Sequence, residues 1–196
     1  MKNNIKIAVT GGIGSGKSLA MSIISELGYN TVSLDDVYAN LLKEEWFIIR
    51  ISNEFAIEPI HLGGQLFLDK KKLASIVFHD KSKLEKLNRL THSEIFKRAF
   101  SIYRKGMIFF EVPLLFEGNY VSQFDKVFVI RREKKIRVES VMMRDNVTLD
   151  EALLRINNQV DYDNLDLSLH TIIYNDSTKE SLKNNLIRAI DSIEKV

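Results

Sequence analysis

A glycine-rich segment near the amino terminus constrains this chain of 196 residues more than any other feature. Residues 11–18 read GGIGSGKS, which satisfies the pattern G-x-x-x-x-G-K-[ST] at each fixed position. Glycines allow consecutive backbone N–H groups to converge on a polyphosphate, and a helix that begins near Gly16 directs its positive end to the same place. The segment therefore predicts a phosphate-binding loop.

The side chains of this segment have separate predicted roles. Lys17 supplies a charge to the β and γ phosphates, which makes it a candidate catalytic residue as well as a nucleotide ligand. Ser18 offers its hydroxyl to the Mg²⁺ that bridges those phosphates. We expect the nucleotide to contact Gly12, Ile13, Gly14, Ser15, Gly16, Lys17, Ser18 and Leu19.

The residues around the loop supply the context that such a site needs. Residues 5–9 (IKIAV) become almost wholly apolar, as a central parallel strand does. Apolar residues recur at helical spacing over 19–27, and Gly28 can cap the helix at its carboxyl end. Strand, loop and helix thus follow in the required order. The alternative, a flexible glycine turn without a ligand, does not demand that order.

Composition excludes several other classes of protein. The chain is 45% hydrophobic and 28% charged, and its apolar runs are too short to cross a bilayer, so we expect a soluble cytoplasmic domain without a membrane partner. It has no cysteine, which excludes disulfides, thiolate zinc sites and a cysteine nucleophile. The formal net charge of +2 favours a small-molecule substrate over nucleic acid.

Two later strands end in acidic residues. Residues 30–34 read as a strand that leads into Asp35-Asp36, and Glu111 lies near the end of an apolar strand over 107–113. Ligands of open α/β sheets bind beyond the carboxyl ends of the strands, so Asp36 is our candidate general base, and Asp36 and Glu111 are candidate Mg²⁺ ligands. Two alternatives stay open: Asp35 or Asp36 caps a helix that begins at Val37, and Glu111 is an ordinary strand terminus.

The stretch between these two strands is an insertion of mainly helical pattern. We assign about 37–105 to an acceptor-binding subdomain, with chain breaks at 58–59 and 63–64. The run of lysines over 70–72 either steers an anionic acceptor or forms a solvated face. After the third strand, residues 114–117 (LLFE) predict an exposed apolar turn that contacts a substrate.

A pair of helices follows the fourth strand at 126–130. The basic run over 131–137 is typical of a solvated surface, but its helix ends at Arg144, and Thr148 opens the next helix with a capping box that leads to Arg155. Such a pair can carry guanidinium charge over a transferring phosphoryl group, so we predict a lid over about 144–166.

A fifth strand over 171–174 completes the pattern. We predict a single domain of α/β class: a three-layer α/β/α fold with a five-stranded parallel sheet. Its core comprises residues 1–36, 106–143 and 167–196, and the insertion and the lid interrupt it.

Over essentially its whole length the chain resembles the dephospho-CoA kinase family of P-loop kinases. The resemblance rests on the loop with its preceding Thr10, on Asp36, on residues 113–117 (PLLFE), on Arg144-Asp145 and on Asn175. Further matches lie at Glu26-Leu27-Gly28, Asp69-Lys70, Val77-Phe78, Leu90, His92, Arg155-Ile156 and Gln159. The PLLFE segment is the most discriminating of these, because many NTPases share the loop.

The resemblance implies transfer of a phosphoryl group from MgATP to the ribose 3′-hydroxyl of dephospho-CoA, the last step of coenzyme A biosynthesis. It implies that Asp36 is the catalytic base, that Arg144 neutralises the transferring group, and that Asn175 lies by the adenine. The acceptor would contact Asp36, His92, Pro113, Leu114, Leu115 and Glu117. His92 has a packing role as its alternative. We expect a monomer or a weak homo-oligomer.

The chain also departs from the family pattern. Leu19, Leu34, Asn40 and Ser93 differ from the usual residues, and Ser140, Tyr162 and Leu165 fall where relatives often carry basic lid residues. Fewer lid cations would make Arg144 more critical. Two rival functions remain: a kinase for another acceptor such as a nucleoside monophosphate or shikimate, and a nucleotide switch or nucleic-acid-bound NTPase.

Overall fold

A computed structural model describes residues 4–102 and 105–194. The strands are β1 (Asn4–Thr10), β2 (Asn30–Ser33), β3 (Ile60–Leu62), β4 (Gln65–Phe67), β5 (Gly106–Glu111), β6 (Lys126–Arg131) and β7 (Thr171–Tyr174). The helices are α1 (Lys17–Glu26), α2 (Leu34–Leu41), α3 (Glu45–Glu54), α4 (Lys70–Val77), α5 (Lys81–Phe100), α6 (Lys134–Asp145), α7 (Leu149–Asn157) and α8 (Lys179–Glu194). None of the described helices is both long and apolar enough to span a bilayer.

Five strands form one parallel sheet in the order β2-β5-β1-β6-β7. The central strand β1 pairs in register with both neighbours, so that Ile7 lies beside Phe109 of β5 and Val9 beside Phe128 of β6. Strands buried on both faces require the near-continuous apolar runs that the sequence shows there. The predicted α/β class and its five-stranded parallel sheet are confirmed.

The core that holds the phosphate-loop helix lies against this sheet. Helices α1 and α8 contact each other, and their apolar side chains pack on those of β1, β5, β6 and β7. The rings of Phe109 and Phe128 lie 5.9 Å apart within it. Ala20, Ile23 and Ile24 of α1 are fully buried. This packing fixes the axis of α1 and therefore the position of its amino terminus.

The chain divides into two compact units, one of Met1–Val32 with Arg104–Val196 and the other of Ser33–Tyr103. Within the second unit, α5 packs against α2 and α4, and α3 packs against β4. Its two short strands form an antiparallel hairpin around Gly63 and Gly64, both with positive φ, as a tight two-residue turn requires. The sequence indicated a chain break at these glycines but not the hairpin.

Helices α6 and α7 form a second apolar cluster within the first unit. Val138 and Val141 of α6 pack against Ala152 and Ile156 of α7, and the side chain of Ile13 from the phosphate loop packs on the same cluster. The capping box predicted at Thr148 is present, since its side chain accepts from the Glu151 N–H and the Glu151 carboxylate accepts in return. The helix pair is therefore attached to the loop through Ile13.

Candidate active site

The phosphate loop connects β1 to α1 as a sharp turn. Gly11, Gly14 and Gly16 have φ values of 149°, 78° and 91°, which side chains with a Cβ rarely adopt. Gly16 is the N-cap of α1, so the helix begins at Lys17 as the pattern requires. The first N–H groups of a helix have no acceptor within the helix, and together with the helix dipole they make this end a ready anion site.

Lys17 lies folded back over its own loop. Its Nζ donates to the carbonyl oxygen of Gly11 at 2.8 Å and to that of Gly12 at 3.2 Å. These bonds hold the ammonium group beside the strand end that precedes the loop. A phosphate bound by the loop N–H groups would meet this charge. The placement fits the nucleotide role that we assign to Lys17.

Ser18 and Glu111 meet at the carboxyl edge of the sheet. The Ser18 hydroxyl donates to Oε1 of Glu111 at 3.0 Å. Hydroxyl and carboxylate oxygens are the ligands that Mg²⁺ prefers, and Mg²⁺ takes its other ligands from water and phosphate. Among the described residues no cluster of three or more His, Cys, Asp or Glu side chains could hold a metal alone. The pair thus fits a phosphate-bound cation better than an all-protein metal cage.

Three uncharged side chains support the loop from residues far along the chain. Oε1 of Gln159 accepts from the Ile13 N–H at 2.6 Å, and the Tyr162 hydroxyl lies 3.2 Å from that of Thr10. Nδ2 of Asn175 donates to the Ser15 carbonyl oxygen at 2.8 Å. A Cβ on Gly16 would lie 2.2 Å from that same Nδ2. Asn175 is thus buried against the loop, and its contact with adenine stays a prediction.

Tyr162, one of the positions where we expected relatives to carry a basic residue, lies beside the phosphate loop. Its side chain is buried, and its ring packs edge-on to that of Phe116. Burial raises the pKa of Tyr162 to about 12, although the hydrogen bond with Thr10 lowers it. The phenol is therefore neutral and anchors the segment after α7 to the base of the phosphate loop.

The two arginines of the predicted lid share one carboxylate. Arg144, exposed in the last turn of α6, donates from Nε to Asp145 at 2.7 Å, and Arg155 of α7 donates to the other oxygen of Asp145 at 2.5 Å. The hydrogen bond from Arg144 lowers the pKa of Asp145, which keeps the carboxylate charged. The structure brings the predicted pair together. Their action on a phosphoryl group stays a prediction.

The turn after β5 is only partly exposed, which corrects the prediction for residues 114–117. Leu114 is half exposed, but Leu115 is fully buried and Pro113 is partly buried. The Glu117 carboxylate accepts from the N–H of Val160 at 3.3 Å. Leu115 therefore belongs to the core in this structure. Through Glu117, the turn is hydrogen-bonded to the segment that follows α7.

Asp36 and His92 belong to the second compact unit. Helix α2 begins at Leu34, and its N-cap is Ser33, whose hydroxyl accepts from the Asp36 N–H at 3.2 Å. The alternative that Asp35 or Asp36 caps a helix from Val37 is therefore wrong. Both carboxylates are exposed in the first turn of α2. His92 is half buried on α5, and burial lowers its pKa.

Sequence reasoning missed the position of Arg137. The charge run over 131–137 indicated a solvated face, but the Arg137 side chain is buried and its Nε donates to the Ile13 carbonyl oxygen at 3.0 Å. One feature of the sequence did indicate the burial of Arg137. Arg137 stands four residues before Val141 and therefore on the apolar face of α6.

Comparisons with known proteins identify the family of the chain. The family model of dephospho-CoA kinase (CoaE) matches residues 5–181. The dephospho-CoA kinases of Bacillus cereus and Listeria monocytogenes are 30% and 29% identical to the chain, covering 93% and 96% of it and 94% and 97% of their own lengths.

Solved structures show the same relationship. Dephospho-CoA kinase from Campylobacter jejuni aligns with a TM-score of 0.67 at 26% identity and 98% coverage of both chains. A Thermus thermophilus protein aligns with a TM-score of 0.78 at 27% identity, covering 97% of this chain and 98% of its own. Shikimate kinase from Bacteroides thetaiotaomicron, at 12% identity and a TM-score of 0.52, shares the fold. The chain, with its phosphate loop, Ser18–Glu111 pair and paired helices α6 and α7, belongs to the dephospho-CoA kinase family.

Proposed function

We propose that this protein transfers the γ-phosphoryl group of MgATP to the ribose 3′-hydroxyl of dephospho-CoA, giving coenzyme A and ADP in the last step of coenzyme A biosynthesis. The match of residues 5–181 to the family supports the choice of acceptor. The geometry that carries the proposal is the Ser18–Glu111 contact beside the phosphate loop. It supplies oxygen ligands where the phosphates of a loop-bound nucleotide would lie.

Residues of the loop bind and orient the nucleotide in this proposal. Loop N–H groups bind the phosphates, apart from the Ile13 N–H, which donates to Gln159, and the Ser15 N–H, which donates to the Gly12 carbonyl oxygen. Lys17 binds the β and γ groups, and Leu19 and Asn175 contact the rest of the nucleotide. Ser18 and Glu111 would hold Mg²⁺, with Asp36 as a further ligand through water. When bound, Mg²⁺ neutralises charge on the phosphate oxygens.

The transfer step needs a base and a cation at the reacting group. Asp36 takes the proton of the 3′-hydroxyl while that oxygen forms a bond to the γ phosphorus. The bond from the γ phosphorus to the β–γ bridging oxygen breaks, and its electron pair leaves with ADP. Arg144 neutralises charge on the transferring oxygens. The acceptor is held by His92, Pro113, Leu114 and Glu117.

Release of ADP across a panel of acceptors tests this proposal. Purified protein with MgATP is given dephospho-CoA, AMP, adenosine or shikimate, and ADP is measured against a reaction without acceptor. We expect acceptor-dependent ADP only with dephospho-CoA. Preference for another acceptor would reassign the substrate. ADP release that no acceptor stimulates would instead favour a nucleotide switch.

A further inference from the structure

Arg137 is the one charged residue that is buried in the described part of the chain. A buried charge is costly unless the surrounding groups compensate for it. Burial lowers the pKa of Arg137, and the nearby carboxylate of Asp163 opposes that shift. An arginine side chain nevertheless stays protonated in proteins. The fold therefore keeps a cation at this position and surrounds it with acceptors.

The guanidinium group of Arg137 lies directly against the phosphate loop. Its Nε donates to the Ile13 carbonyl oxygen at 3.0 Å, and Nη1 lies 3.9 Å from the Asp163 carboxylate. A Cβ on Gly12 would lie 2.3 Å from Nη2 and 2.7 Å from Cζ. No real Cβ approaches that closely, so residue 12 must lack a side chain while Arg137 occupies this place.

The backbone of Arg137 limits Gly14 in the same way. A Cβ on Gly14 would lie 2.6 Å from the Arg137 carbonyl oxygen and 3.1 Å from its Cα. The pattern G-x-x-x-x-G-K-[ST] leaves both position 12 and position 14 open. Close contact with Arg137 explains why both positions are glycine. Gly14 has a second reason, because its φ is 78°, whereas the backbone of Gly12 is not left-handed. Only at Gly12 is the Arg137 side chain itself the obstacle.

The hydrogen bond to Ile13 has a consequence for phosphate binding. The Ile13 carbonyl and the Gly14 N–H belong to one peptide plane, and in a trans peptide the two groups point in opposite directions. Arg137 therefore fixes the direction of the Gly14 N–H when it binds the Ile13 oxygen. The preceding peptide is fixed as well, because Gln159 accepts from the Ile13 N–H. Loop N–H groups are the ligands of the phosphates.

We propose that Arg137 is a positioning residue for nucleotide binding. It holds the Ile13–Gly14 peptide so that the Gly14 N–H is directed at the polyphosphate of the nucleotide, and it connects α6, the helix that carries Arg144 in its last turn, to the phosphate loop. The inference rests on the proposed function only in taking a nucleoside triphosphate as the ligand of the loop.

Calorimetric binding of ATP, without any acceptor, tests this role in Arg137→Gln and Arg137→Lys. Arg137→Gln removes the charge, and its shorter side chain cannot extend to the Ile13 carbonyl oxygen as the guanidinium does. We expect the Kd for ATP to rise about tenfold to a hundredfold. Arg137→Lys keeps the charge without the planar group and should give an intermediate Kd. A merely structural role would lower the unfolding temperature and leave the Kd of the folded fraction unchanged.

A double-mutant cycle with Gly12→Ala supplies a second readout, the unfolding temperature of the protein without ligand. Gly12→Ala should lower that temperature by several degrees in the wild type and by clearly less in the Arg137→Gln background, where the obstacle is gone. Gly14→Ala is the matched control: its φ and the Arg137 backbone remain, so Arg137→Gln should give no relief.

Two results would each overturn the proposal: a Kd for ATP within about twofold of the wild type in both Arg137 variants, since the expected loss is a binding free energy, or a Gly12→Ala penalty that is the same in both backgrounds. Because ATP binding and unfolding are measured without acceptor, these results do not depend on which acceptor the enzyme uses. Should Arg137→Gln fail to fold, Arg137→Lys carries the ATP measurement, and Arg137→Met, whose side chain is shorter than that of arginine, carries the double-mutant cycle.

Discussion

The Ser18 hydroxyl donates a hydrogen bond to the carboxylate of Glu111 at 3.0 Å, which joins the first turn of α1 to the last residue of β5. The two residues lie 93 positions apart in the sequence and meet because β5 pairs directly with β1, the strand that leads into the loop. The hydrogen bond between Ser18 and Glu111 is exposed to solvent. In the proposed function these two oxygen atoms are Mg²⁺ ligands beside the phosphate site.

Glu111→Gln tests that interpretation. The substitution keeps the shape of the side chain and removes its charge, so we expect the Mg²⁺ concentration for half-maximal activity to rise about tenfold to a hundredfold. A Mg²⁺ titration at fixed ATP measures the change. Glu26→Gln, at the other end of α1, is the matched control and should leave the titration unchanged. An unaltered Mg²⁺ requirement in Glu111→Gln would remove Glu111 from the site.

Asp36→Asn should retain nucleotide binding and lose transfer. Asp35 and Asp36 are adjacent, exposed carboxylates in the first turn of α2, so Asp35→Asn is a control for charge and for the helix dipole. We expect kcat to fall about 10²- to 10⁴-fold in Asp36→Asn only, because a general base contributes a factor of that size. Steady-state kinetics and ATP binding separate the effects. Unchanged turnover in Asp36→Asn would defeat the base assignment.

Arg144 and Arg155 can be compared directly, because both bind Asp145. Replacing either with alanine removes one ion pair and leaves the other, and both arginines are exposed, so the loss of stability should be small. We expect kcat to fall about 10³- to 10⁵-fold in Arg144→Ala, as for cations at other phosphoryl-transfer sites. Arg155→Ala should lose far less. Equal kcat values in the two variants would show that neither arginine alone serves the transferring group.

Tyr162→Phe should change the dependence of stability on pH. Removing the hydroxyl breaks the hydrogen bond with Thr10, so near neutral pH the free energy of unfolding should fall by about 1 kcal/mol. Burial raises the pKa of Tyr162 from 10.0 to about 12. In the wild type, stabilisation by the neutral phenol is complete below pH 10 and is lost as pH rises towards 12, because the unfolded chain ionises first.

The difference in the free energy of unfolding between the wild type and Tyr162→Phe should therefore become smaller as pH rises from 10 to about 12. Urea unfolding of both proteins at several pH values measures it. The absorbance of ionised tyrosine supplies an independent check, since one of the six tyrosines should titrate near pH 12 in the wild type and be missing in the variant. A difference in the free energy of unfolding that becomes larger with pH would contradict the assigned direction of the pKa shift.

Features that depend on neighbouring residues could be predicted from the sequence. The phosphate loop, its flanking strand and helix, and the capping box at Thr148 all follow from local patterns. The central strands were recognisable because burial on both faces demands continuous apolar runs. The start of α2 was misplaced by three residues, since a serine at position 33 competes with two aspartates as the cap.

Features that depend on contacts between residues far apart in the chain could not be predicted from the sequence. The hairpin of β3 and β4 has only three residues in each strand and little burial, so no hydrophobic alternation marks it. Leu115 was predicted to be exposed because Pro113 ends the strand before it, yet Leu115 is part of the core. The burial of Arg137 depends on where the loop lies in three dimensions. A charge run in one dimension contains no such information.

The position of the transferred phosphate tests the central claim most directly. Protein, MgATP and dephospho-CoA are incubated, and the product is examined by phosphorus and proton NMR, with Asp36→Asn as the parallel reaction. We predict a new phosphomonoester coupled to the ribose 3′ proton, formed in step with ADP by the wild type and almost absent with Asp36→Asn. Dephospho-CoA recovered unchanged from the wild-type reaction, or a phosphate at any other position, would contradict the account.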